Sequence, residues 1–242
     1  MDSKKRINKF LSEAGFCSRR AADTLLKEKR VTINGEIAEL GSKVASDDLV
    51  MVDGKSISTK DISPIYIAFN KPIGIVCTTD TKSEKDNIID YINHPSRIFP
   101  IGRLDKPSEG LILLTNDGDI VNKILRARNN HEKEYVVTVN KPISKGFIRK
   151  MRSGVPVLET ITRPCYAEQI GKFSFRIVLT QGLNRQIRRM CEYLDYEVTK
   201  LKRIRIMNIH LDLSIGQWRD LTNSELKEID RLLAGSSKTI ND

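Results

Sequence analysis

Asp105 stands between Arg103 and Lys106, in a loop bounded by Gly102 and Gly110. Two flanking cations hold a carboxylate in its charged form, which is the form a carboxylate nucleophile needs. The apolar run Leu111 to Leu114 that follows reads as a buried strand, and loops carried on rigid strands are where reactive side chains tend to sit. The pattern Arg-x-Asp is common, so the loop by itself is also compatible with an aspartate that only partners Arg103. A second cationic motif runs from Gln181 to Met190. Asn184 can cap a helix there, with Ile187, Met190 and Cys191 on its apolar side and Arg185, Arg188 and Arg189 together on another face. Tyr135 lies in a run of β-formers from Glu132 to Val139, where an inward tyrosine is ordinarily a core residue with a satisfied hydroxyl. Lys71, in the turn Asn70-Lys71-Pro72-Ile73-Gly74, reads as a solvated lysine.

Metal and thiol chemistry have little support. Cys17, Cys77, Cys165 and Cys191, like His94, His131 and His210, are scattered without zinc spacing. The cysteines read as packing residues, and neither a P-loop nor a dinucleotide fingerprint is present.

The elements that must position these residues fall into two groups. Near the N-terminus, Ile7, Phe10, Leu11 and Ala14 recur at helical spacing up to Gly15. Ser18 then caps a second helix, Arg19 to about Lys29, with Ala21, Ala22, Leu25 and Leu26 inward. Val31 to Gly35 is a strand entering an Asn-Gly turn, and Leu49 to Gly54 is another strand followed by a turn. The polar stretch from Lys55 to Pro64 reads as linker. The expected division is therefore 1–58, a linker over 59–64, and a second domain over 65–242. In that second domain the strand candidates are Tyr66–Phe69, Ile75–Thr78, Gly110–Leu114, Glu134–Val139, Phe173–Leu179 and Ile209–Leu213. Helices are expected over Asp119–Arg126, Ser144–Met151, Asn184–Tyr193 and Asn223–Leu233. Neighbouring strands with short turns and few strand-helix-strand units point to an α+β fold.

The 242 residues carry a net charge of +10, with 39% hydrophobic and 30% charged residues. That is a globular composition whose basic excess favours a polyanionic partner. The cations cluster from Lys4 to Arg30, and again among Arg185, Arg188, Arg189, Lys200, Lys202, Arg203 and Arg205. Two clusters far apart in the chain suggest a long ligand. No apolar run suffices for a membrane span and no secretory signal is seen, so a cytoplasmic protein without membrane contact is expected.

Gly102-Arg103-Leu104-Asp105, with the stretch from Ser108 to Gly118, closely resembles the catalytic motif of the pseudouridine synthases. Phe16-Cys17, Ser18-Arg19-Arg20 and Val31 to Gly35 resemble an S4 RNA-binding domain. The likeness runs from Arg6 to about Leu233 and points to the ribosomal-RNA branch with an attached S4 domain, and within it to the F-type synthases of the large ribosomal RNA. What it implies is an S4-like domain followed by a catalytic domain with a mixed, largely antiparallel sheet and its cleft across one face. It further implies isomerisation of uridine to pseudouridine without a cofactor or metal. Asp105 would be the catalytic aspartate, Arg188 its paired cation, and Tyr135 a residue that stacks on the target base and helps remove its C5 proton. Arg103, Lys106, Arg185, Gln186 and Arg188, with Arg19 and Arg20 of the S4-like part, would contact RNA. The implied partner is ribosomal RNA, 23S first, with 16S or transfer RNA as alternatives, bound by a monomer. Two rivals remain: a glycoside hydrolase pairing Asp105 with Glu109 or Asp117, and a non-catalytic RNA-binding protein.

Overall fold

The computed structural model describes residues 4–59 and 63–236. The chain divides into two units, 1–64 and 65–242. In the first, β1 (Lys5–Arg6) leads into α1 (Ile7–Glu13) and α2 (Arg19–Lys27). Five short strands follow: β2 (Val31–Ile33), β3 (Glu36–Ile37), β4 (Lys43–Val44), β5 (Val50–Val52) and β6 (Lys55–Ile57). The Ser18 hydroxyl accepts from the Ala21 amide at 3.1 Å and so caps α2. Ile7, Leu11, Ala22 and Leu26 are buried against Val31, Val50 and Val52. Ala21, expected inward, is exposed, because the buried stripe of α2 runs through positions 22 and 26.

Two hairpins have left-handed residue pairs at their tips, Asn34-Gly35 and Asp53-Gly54. Such pairs match the twist of the strands they join. The second corrects the expected linker: Lys55 to Ile57 turns back on β5, with Val52 opposite Lys55 and Val50 opposite Ile57. Of the linker expected over 59–64, residues 60–62 lie outside the described residues.

The second unit opens with β7 (Tyr66–Lys71), α3 (Ile88–Ile92), β8 (Phe99–Ile101), β9 (Glu109–Thr115), α4 (Gly118–Leu125) and β10 (Lys133–Val139). It continues through α5 (Lys145–Ser153), β11 (Pro156–Val157), β12 (Thr160–Ile161), β13 (Tyr166–Gln169), β14 (Ser174–Leu179) and α6 (Gln186–Tyr193). It ends with β15 (Val198–Ile206), β16 (Ile209–His210), β17 (Trp218–Asp220) and α7 (Asn223–Leu233). Nine of these strands form one sheet, ordered β13-β14-β10-β15-β9-β7-β17, with β8 on β9 and β16 on β15. Every pairing is antiparallel except β15 with β9. The fold is thus α+β with a mixed, largely antiparallel sheet. α5 and α6 bury Phe147, Met151, Met190 and Cys191 against β10, β14 and β15, while α4 and α7 cover Ala68, Leu111 and Leu113.

The largest departure from expectation is β15. It reads in sequence only as a basic cluster, yet it is a nine-residue strand in the middle of the sheet. Two register shifts against β10 break its two-residue period, and Lys200, Lys202 and Arg205 hide what remains of the apolar pattern. Ile75–Thr78, expected as a strand, is a loop with a single bridge between Val76 and Asn87. The strand expected over Ile209–Leu213 shortens to Ile209–His210, and β8, β13, β17 and α3 have no counterpart among the expected elements.

Gly110 marks where β9 meets β15. Its φ is +106°, and a Cβ there would lie 2.3 Å from the Arg203 carbonyl oxygen and 2.7 Å from its nitrogen. Both contacts are to backbone, so neither yields by a rotamer change. Gly110→Ala is therefore expected to destabilise the protein by about 3 kcal/mol, lowering Tm by about 10 °C. Thermal denaturation followed by circular dichroism measures this, and an unchanged Tm would mean the two strands separate freely.

Candidate active site

Asp105 sits on the loop between β8 and β9, and both ends of that loop are fixed. Ile101 pairs with Leu113, and Gly110 opposes Arg203. Inside the loop the Ser108 amide donates to the Asp105 carbonyl at 3.0 Å, and the Gly74 amide to the Lys106 carbonyl at 2.9 Å. The buried Leu104 donates its amide to the Cys77 sulfur at 3.4 Å. The Asp105 side chain is left 33% exposed at the mouth of a cleft of about 700 Å³.

The cations that face Asp105 come from the head of α6. Arg188 Nε lies 3.6 Å from Asp105 Oδ2, and Arg185 Nη1 lies 3.9 Å from the same oxygen. Arg188 is buried. Its Nη1 donates to the Val198 carbonyl at 3.1 Å, and its Nη2 to the Pro107 carbonyl at 3.3 Å and to Ser108 Oγ at 3.1 Å. The guanidinium is thus oriented by β15 and by the loop itself. Its Nε is buried without a hydrogen-bond partner, at a distance from the carboxylate that suits an ion pair but exceeds a hydrogen bond. Burial lowers the Arg188 pKa, and Asp105 opposes that shift.

Several sequence expectations need correction. Arg103 and Lys106 do not clamp Asp105: Lys106 lies 4.0 Å from Glu84, and Arg103 is exposed on the cleft wall. Asn184 does not cap α6. The cap position is Arg185, in the left-handed region at φ 49° with no side-chain cap. Non-glycine residues seldom adopt that conformation, and such strain collects at functional sites. Arg189 does not share a working face with Arg185 and Arg188, because its guanidinium binds the Asn184 carbonyl and Oδ1 at 3.1 and 3.2 Å. Gln186, expected to touch RNA, lies in the cleft lining but is largely buried; its Oε1 accepts from the Leu183 amide at 3.0 Å and so closes the turn before α6. Lys71 is fully buried instead of solvated. Its Nζ donates to the Pro72 and Ile75 carbonyls, each at 2.8 Å, pinning the turn that supports Cys77, and burial lowers its pKa.

Tyr135 is half-buried on the cleft wall, in contact with the cores on both sides. Beneath it lies Arg203, which the sequence reading placed only in a basic cluster. Arg203 is 3% exposed, donates Nε to the Leu111 carbonyl at 2.6 Å, and holds its guanidinium carbon 5.9 Å from the Tyr135 ring centre. That separation permits a cation–π contact. Lys133 is buried beside it with Nζ on the His131 carbonyl at 3.1 Å. Desolvation, and secondarily Arg203, pull Lys133 down to about 8. The floor of the cleft is therefore cationic as well as its α6 wall. Finding Arg203 in sequence requires the pairing Tyr135↔Arg203, which the bulge conceals.

The other titratable candidates are committed elsewhere. Asp117 caps α4 by accepting from the Asp119 amide at 2.8 Å, and it accepts from the Tyr66 hydroxyl at 3.0 Å. Glu109 is outside the cleft lining. Burial raises the thiols of Cys77, Cys165 and Cys191, the last to about 12, so none is a ready nucleophile. In the N-terminal unit, Arg19 and Arg20 are exposed in the first turn of α2.

The family model described as RNA pseudouridylate synthase matches residues 65–193, and the S4 domain model matches residues 5–50. The dual-specificity RNA pseudouridine synthase RluF of Salmonella typhi is 56% identical, over 98% of this chain and 82% of that protein. The ribosomal large subunit pseudouridine synthase B of Bacillus subtilis is 37% identical, over 97% of this chain and 98% of its own. A crystal structure of a pseudouridylate synthase superposes with a TM-score of 0.68 at 28% identity, covering 93% of this chain and 99% of that one.

Proposed function

Since this chain belongs to the RNA pseudouridylate synthase family, with an S4 domain at its N-terminal side, we propose that Asp105 is the group that acts on the ribose of the target uridine. The chain is an enzyme that isomerises uridine to pseudouridine in RNA. In that reaction the N1–C1′ bond breaks, the base turns, a C5–C1′ bond forms, C5 loses its proton and N1 gains one. No atom is gained or lost overall. Asp105 either attacks C1′ or takes a ribose proton to give a glycal, and both routes place its carboxylate against the sugar.

The observation that carries this reading is the meeting of Asp105 with Arg188 and Arg185 at the mouth of a cleft walled by Tyr135. A uridine must leave its stack to enter such a cleft. Arg103, on the wall, takes the flanking phosphate or fills the vacated space, and the Tyr135 ring packs on the flipped base and assists loss of the C5 proton. Lys106 and Arg185 meet the backbone at the rim. In the S4 unit, Arg19 and Arg20 stand in the first turn of α2, where the helix dipole favours a phosphate.

The proposed substrate is large-subunit ribosomal RNA, bound by a single chain. The Bacillus relative is named for that subunit, and the dual specificity in the Salmonella relative's name supports a second RNA, with transfer RNA the candidate. Incubating the purified protein with unmodified 23S, 16S and transfer RNA transcripts, then mapping pseudouridine by carbodiimide-dependent reverse-transcription stops, tests this. A new stop in the 23S transcript is the expected result. Stops confined to 16S or transfer RNA would overturn the assignment.

A further inference from the structure

Away from the cleft, α5 carries Lys145, Arg149, Lys150 and Arg152 and no acidic residue. All four residues are exposed, whereas Phe147 and Met151 on the other side of the helix are buried. Like charges at these spacings repel, and Lys145 in the first turn opposes the helix dipole. Among the described residues, none of the four has a carboxylate within ion-pair distance. Glu168 on the adjacent β13 is engaged by Arg176 at 2.7 Å and by the Tyr166 hydroxyl at 2.8 Å. Helix stability alone would favour acids in this first turn; the arrangement found suits an anion from outside.

The surface is also concave. A depression of about 630 Å³ lies between α5 and β13, lined by Lys145, Ile148, Arg149, Arg152, Ser153 and Gln169. At its edge Tyr166 is 48% exposed, with the guanidinium carbons of Arg152 and Arg176 at 5.9 and 5.6 Å from its ring centre. Cations around a shallow depression with a half-exposed tyrosine ring at its edge resemble the platforms on which single-stranded nucleic acid binds without base readout. One stretch of chain runs from a residue bonded to the cleft lining to the edge of the depression. The Arg163 amide donates to Gln181 Oε1, a cleft-lining group, at 2.5 Å, and the Cys165 amide donates to the Arg152 carbonyl at 3.1 Å. From Arg163 to Gln169 the extended chain reaches at most about 20 Å, a span an RNA strand leaving the cleft covers within a few nucleotides.

We propose that this basic depression holds the sugar-phosphate backbone of the substrate RNA beside the modified site, with one base stacked on Tyr166. The proposal rests on RNA being the substrate and adds a second contact surface in the catalytic unit. Its test uses the full chain with Lys145→Ala/Arg149→Ala together, and separately Tyr166→Ala, titrating affinity for a 23S rRNA transcript against KCl. Losing two phosphate contacts should flatten the salt slope by about 1.5 units and raise KM about tenfold while leaving kcat in place. Tyr166→Ala should weaken binding without changing the slope. Unchanged slope and KM in the double variant would make these cations a solvated face and overturn the proposal. A fall in kcat with an unchanged slope would overturn it too, since the side chains would then act through the fold. The salt slope is read without turnover, so that arm stands whether or not Asp105 proves to be the reacting group.

Discussion

Asp105→Asn is expected to abolish isomerisation, a loss of at least about 10⁴-fold, because a neutral amide can neither attack C1′ nor take a proton. The substitution is nearly isosteric. Arg188 keeps its bonds to Val198, Pro107 and Ser108, so Tm and RNA affinity should stay near those of the parent. Tritium release from RNA carrying 5-tritiated uridine measures the chemistry, and a filter-binding assay on the same RNA measures affinity. Turnover near the parent's would remove Asp105 from the mechanism. Glu109→Gln and Asp117→Asn, changed in parallel, should leave turnover almost intact. Loss of activity in either would revive a two-carboxylate mechanism.

The second large effect is expected at Arg188. Replacing it with Ala removes the ion pair to Asp105 and strips partners from Val198, Pro107 and Ser108 at once. The catalytic loop then loses both its electrostatic partner and its brace, and kcat should fall about 10²- to 10³-fold. RNA affinity should change much less, because a single cation is a small part of a many-contact interface. Arg188→Lys keeps the charge but cannot reproduce a planar fork reaching three acceptors, so it should recover only a part of kcat. Equal losses in affinity and turnover would instead mark Arg188 as an ordinary phosphate ligand.

Much of this site is legible in the residues. The motif from Gly102 to Gly118 and the α6 arginines locate both halves of the ion pair, and residue-by-residue likeness selects Arg188 from three candidates. Burial is what composition hides. Lys71 and Arg203 read as surface charges because lysines and arginines are seldom fully buried, yet both are held inside by backbone carbonyls that accept from them. Local helix signals serve well where capping chemistry is explicit, as at Ser18, whose cap bond forms with Ala21. They mislead at α6, where Arg185 occupies the cap through backbone conformation alone. β15 escapes recognition because its bulges are set by its partner strand and leave no periodic trace.

The parallel pairing of β9 with β15 bears on how the enzyme comes into being. It spans only two register positions, Glu109 with Lys202 and Gly110 with Arg203, and the Arg203–Leu111 bond beside it closes a loop of 92 residues. Hairpin partners on either side, such as β13 with β14, meet across a short turn, while this seam waits on a distant part of the chain. Contacts of such long reach form slowly, since loop closure must precede their reward. During synthesis Asp105 leaves the ribosome well before Arg188 and β15 exist, so a nascent chain carries the aspartate without its partner. Catalytic competence is therefore expected only once the two halves of the sheet have joined, after the C-terminal strands have been made.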